Sequence, residues 1–79
     1  MSQSNIKKNI RLSNEFDTYI IDHPTAYRRI PRGAHIILTS SKDRSLSEAN
    51  MAIAEHSRAG KFVIAHKTDG RWEIKGYRG

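Results

Sequence analysis

The chain's densest chemistry lies near its C-terminus, where Phe62, His66, Lys67, Arg71, Trp72, Lys75, Tyr77 and Arg78 interleave aromatic rings with cations. Cations track a phosphate backbone and aromatic faces stack on bases, so this interleaving suits a nucleic-acid surface. A second basic run, Arg28-Arg29-Ile30-Pro31-Arg32-Gly33, sits where a short helix gives way to a turn and side chains project outward. The candidate nucleic-acid contacts are therefore Arg28, Arg29, Arg32, Lys67, Arg71, Trp72, Lys75 and Tyr77. His66, Lys67, Arg71, Glu73 and Tyr77 also supply what metal-free phosphodiester cleavage needs, groups that move protons and balance charge. A structural reading stands beside each of these. Trp72 and Phe62 as core, with the cations as a solvated rim, is the plainer reading, and Arg28 and Arg29 suit a helix C-terminus.

Other chemistries find no support. Cysteine is absent, so neither a disulfide framework nor a cysteine zinc site is available. His23, His35, His56 and His66 do not fall at metal-ligand spacings. His35 and His66 lie on strands expected to be neighbours, without a third ligand. No serine has a nucleophile-elbow context, and the glycines are too scattered for a phosphate-cradling loop. Neither a metal nor a cofactor is expected.

Positioning these residues is the task of a few elements. Leu12, Phe16, Tyr19 and Ile20 form a helical stripe, which predicts a helix over 6–22 with 1–4 frayed. Pro24 ends it and opens a short helix over 24–29. Pro31 and Gly33 turn the chain into a strand over 34–39, where Ile36, Ile37 and Leu38 are contiguous. Ser45-Leu46-Ser47-Glu48 fits a capping box and starts a helix reaching Ala59. Leu46, Ala49, Ala52, Ile53 and His56 line its expected inner face, with Gly60 as its positive-φ terminator. Strands over 61–67 and 71–77 follow, joined by Asp69-Gly70, a strong two-residue hairpin signal. That turn sets Lys67 opposite Trp72, His66 opposite Glu73, Ala65 opposite Ile74 and Ile64 opposite Lys75. The strand–helix–strand unit requires parallel strands with a right-handed crossover. The expected fold is α+β, a small α/β domain spanning 1–79. Its three-stranded mixed sheet has the first strand parallel to the second, the last two in a hairpin, and two helices packed on it.

Size and charge narrow the function. Leu, Ile, Val and Phe make up only 16 of 79 residues, a thin core for a chain this short. Small domains without disulfides or metals often gain stability by self-association, so a homo-oligomer is expected to help. The net charge is +6. Residues 1–33 and 61–79 each carry a +3 excess, while 34–60 are neutral. No apolar run is long enough for a membrane span or a signal-peptide core, so a cytoplasmic domain without membrane partners is expected.

The pattern Leu12-Ser13-Asn14-Glu15-Phe16, then Tyr19, His23-Pro24 and Ile30-Pro31-Arg32-Gly33-Ala34, resembles a family of short uncharacterised prokaryotic proteins. The resemblance covers roughly residues 12–65. It implies the same helix and strand order and assigns no activity and no catalytic residue. The leading functional expectation is a non-enzymatic domain that binds RNA or DNA, or a nucleic-acid-associated partner. One alternative is a protein-interaction or oligomeric accessory module, antitoxin-like or regulatory. A small metal-free ribonuclease is the other, and a cleft joining His66, Arg71 and Tyr77 would speak for it.

Overall fold

Asp69-Gly70 turns the chain back on itself, and the register it sets runs the length of the hairpin. In the computed structural model of the chain, which describes residues 3–57 and 60–77, Asp69 has φ 47° and Gly70 φ 79°. Two consecutive left-handed residues are what a two-residue hairpin turn matched to strand twist demands. Strand β2 (Phe62–Thr68) pairs antiparallel with β3 (Arg71–Gly76), with Lys67 opposite Trp72 and Ala65 opposite Ile74 as expected. Strand β1 (His35–Ser40) is parallel to β2, matching Ile37 with Ile64 and Thr39 with His66. The sheet order is β1-β2-β3, and the fold is α+β.

Helix α1 (Gln3–Asp22) starts earlier than its apolar periodicity requires. Gln3 and Ser4 are therefore helical rather than frayed, while Met1 and Ser2 lie outside the described residues. Leu12 and Phe16 are buried, as the stripe predicts. Helix α2 (Pro24–Tyr27) begins with its proline where a missing N–H costs nothing.

Helix α3 (Arg44–Glu55) departs from expectation at both ends. Its N-cap is Asp43, whose Oδ1 accepts from Leu46 N at 3.0 Å, so Ser45 and Glu48 form no capping box. Glu48 instead accepts from Arg44 Nε one turn back, at 2.9 Å. The bond from the Leu46 amide and, next, the contact with the Lys8 ammonium hold the Asp43 carboxyl below its ordinary range. The helix ends at Glu55, before the expected Ala59; Arg58 and Ala59 lie outside the described residues. Gly60 does not take the positive φ expected of a terminator. The inner face is rotated too. Leu46, Asn50 and Ala54 are buried, whereas Ile53 is 57% exposed and His56 is at the surface.

The rotation follows from what α3 does to the sheet edge. His35 N donates to Lys61 O and Ser41 N to Lys67 O, so Ile36, Leu38 and Ser40 aim their peptide groups away from β2. Helix α3 meets that edge with polar side chains. Asn50 Nδ2 donates to Leu38 O at 2.8 Å, and Ser47 Oγ accepts from Ser40 N at 2.8 Å. An edge filled in this way is closed to further strand pairing along its C-terminal half. Asn50 also exchanges two hydrogen bonds with Asn9, of 3.0 and 2.7 Å, which ties α1 to α3.

Candidate nucleic-acid interface

Side chains alternate across a strand, so the register divides the candidate residues between two faces. One face carries Val63, Ala65 and Lys67 of β2 with Trp72 and Ile74 of β3. Helix α1 covers it: Phe16 and Trp72 have ring centroids 5.0 Å apart at 60°, and Lys67 Nζ pairs with the Glu15 carboxylate. Val63 and Ala65 are buried there. Two of the expected contacts, Lys67 and Trp72, are thus engaged in holding α1 to the sheet. Trp72 is half-buried, and its ring is placed for packing rather than for stacking on a base.

The other face carries Phe62, Ile64, His66 and Thr68 of β2 with Arg71, Glu73 and Lys75 of β3. Tyr77 continues it, since its N–H donates to Phe62 O at 3.2 Å. Three aromatic rings form a row at the lower end of this face. Phe62 lies 5.3 Å from the His35 ring and 6.2 Å from the Tyr77 ring, edge-on to the latter. Arg71 and Lys75 are exposed, and Lys75 Nζ lies 3.1 Å from Glu73 Oε1. Of the expected contacts, then, Arg71, Lys75 and Tyr77 share a face. His35 and Phe62 join them; Phe62 belongs to the interleaved run but not to the expected contacts, and His35 belongs to neither. A signal is present all the same: Phe62 falls two residues from Ile64 and so on the Tyr77 side of the hairpin.

Arg28, Arg29 and Arg32 lie in the connection between α2 and β1, all exposed. Arg28 N donates to Pro24 O and Arg29 N to Ala26 O, so the run finishes α2 with helical turns before Gly33 (φ 79°) redirects the chain. Among the described residues no hydrogen bond, ion pair or ring contact joins this run to the aromatic row.

The cleavage set is divided. A cleft at the hairpin end is lined by His66, Thr68, Asp69, Arg71, Trp72 and Glu73. Tyr77 is at the other end of β3, and Lys67 is on the opposite face. His66 Nδ1 shares a 2.6 Å hydrogen bond with the buried Thr39 Oγ1, which fixes the ring against the sheet. Among the described residues no three His, Asp or Glu side chains gather in a way that would hold a metal ion. Nor is any described helix long and apolar enough to cross a membrane.

Sheet, edge-filling helix and aromatic row define a small basic α+β domain with one sheet face covered by α1. The chain belongs to the DUF5647 family, a family of unknown function whose model matches residues 4–69. The match ends at the hairpin turn, so β3 and Tyr77 fall beyond it. No curated protein and no solved structure matches the chain.

Proposed function

We propose that this chain is a non-enzymatic, cytoplasmic domain that binds single-stranded nucleic acid on the β2–β3 face away from α1. One observation carries the reading. The half-buried Phe62 and Tyr77 rings lie on the same sheet face as the exposed Arg71 and Lys75. Base stacking on such rings contributes about 1–3 kcal/mol per base and tolerates any sequence. The cations supply the phosphate contacts, with the adjacent Lys61 as a third. Arg28, Arg29 and Arg32 act at longer range by raising the local concentration of a polyanion.

Fluorescence anisotropy of labelled single-stranded RNA and DNA at several salt concentrations tests this. Three phosphate contacts at about −0.7 each give a log–log salt slope of about −2. Affinity should be weak and without sequence preference, in the range of about 10⁻⁴–10⁻⁶ M at physiological salt. Folded protein that binds neither polymer at low salt would sink the reading.

A further inference from the structure

We infer that the outer face of α1 is a self-association surface, on which α1 of a second copy packs antiparallel. Among the described residues, three of the six large apolar side chains left exposed lie on this helix: Ile6 at 47%, Ile10 at 58% and Ile21 at 78%. At about 100° per residue, Ile6, Ile10 and Ile21 fall within one narrow stripe, with Asp17 among them. That stripe is turned away from the sheet-facing Leu12 and Phe16. Beside it runs a shallow groove lined by Lys7, Ile10, Arg11, Asn14, Glu15 and Thr18.

The charges on α1 name the occupant. Lys7, Lys8 and Arg11 stand in its first half, and Glu15, Asp17 and Asp22 in its second. Lys8 and Glu15 are already paired within the chain, to Asp43 and Lys67. Lys7, Arg11, Asp17 and Asp22 make no ion pair among the described residues. The polarity opposes the helix macrodipole, which favours acids in the first turn and bases in the last; α1 has neither. An antiparallel copy reverses that disadvantage. It sets Ile6 beside the second copy's Ile21 and brings the Lys7–Arg11 end of each helix alongside the Asp17–Asp22 end of the other. A parallel copy would set like charges together.

The surface area is consistent with a missing partner. The chain exposes 5980 Å². A folded monomer of this mass is expected to expose about 4,900 Å². The excess is comparable with the roughly 800 Å² that each partner buries in a standard interface. This surface is separate from the β2–β3 face, so the inference stands whether or not nucleic acid binds there.

The test is sedimentation equilibrium of the full chain and two charge-reversed variants, Lys7→Glu/Arg11→Glu and Asp17→Lys/Asp22→Lys. Wild type should reach twice its 9.0 kDa chain mass. Each variant alone should dissociate about tenfold or more readily, because like charges then face each other. Mixed in equal amounts, the two should recover a dimer containing one of each, a result that a mere folding defect cannot produce. Circular dichroism checks that both variants keep the native helix content. Wild type that stays monomeric from about 1 to 100 µM, where weak interfaces of this size dissociate, would overturn the inference. So would folded variants that dimerise as well as wild type, or a mixture that stays monomeric.

Discussion

Asn50 is the residue on which α3, α1 and the β1 edge meet, and replacing it should be costly. Its Nδ2 donates to Leu38 O at 2.8 Å and to Asn9 Oδ1 at 2.7 Å, and its Oδ1 accepts from Asn9 Nδ2 at 3.0 Å. The side chain is buried, with the residue 8% exposed. A hydrogen bond contributes about 1 kcal/mol net, and a buried partner left unmatched adds about 1–3 kcal/mol. Asn50→Ala leaves Leu38 O without its side-chain donor and removes both hydrogen bonds to Asn9, so a loss of about 2–4 kcal/mol is expected. A domain of this size holds only about 4–12 kcal/mol in total. At about 4–8 °C per kcal/mol, the melting temperature should fall by about 8–32 °C, read by circular dichroism. Asn50→Asp separates hydrogen bonding from volume. It is nearly isosteric but gives up both donors and sets a carboxylate against Leu38 O, so at neutral pH it should also be strongly destabilised. An Asn50→Asp variant as stable as wild type would refute the edge-filling role of this side chain.

Other consequences follow from the same geometry. Asp43→Ala should lower the melting temperature at neutral pH while Ser45→Ala leaves it unchanged, because Asp43 caps α3 and Ser45 does not. The Asp43 carboxyl is held below its ordinary value of 3.8, so its contribution is complete above that pH and is lost as pH falls through the lower folded value. The gap between Asp43→Ala and wild type should therefore close in strong acid, and a gap that widened there would contradict the assignment. Trp72 is the only tryptophan, and it packs on Phe16 away from the proposed contact face. Its emission should change little when single-stranded RNA is added at saturating concentration; strong quenching would show that a base reaches that ring.

Much of the sheet is legible in the sequence because its determinants are local. Asp69-Gly70 specifies a two-residue turn, and a period of two then dictates every cross-strand pair in the hairpin. The helix cap is not legible, because Asp43 and Ser45 both precede an apolar run and each can accept from an amide. What decides between them is tertiary. Ser47 Oγ is tied to Ser40 N, which fixes where the helix begins relative to the strand end. Periodicity misplaces the inner face of α3 for a related reason. It counts Ile53 as core and Asn50 as surface, whereas an exposed strand edge needs a polar partner more than an apolar one. Register also divides the hairpin residues into two faces without saying which one α1 covers. Both faces carry aromatic rings and cations, so in the sequence Trp72 and Lys67 look as available as Tyr77 and Lys75. The Phe16–Trp72 contact and the Glu15–Lys67 ion pair separate them.

Amide and side-chain shift mapping by NMR, with a short unlabelled oligonucleotide titrated into isotope-labelled protein at low salt, tests the central claim most directly. Fast-exchange shifts should concentrate at His35, Phe62, Arg71, Lys75 and Tyr77 and fade as salt is added, with the Trp72 indole unmoved. Shifts centred instead on Trp72 and α1, or none at any residue of the folded protein, would contradict it.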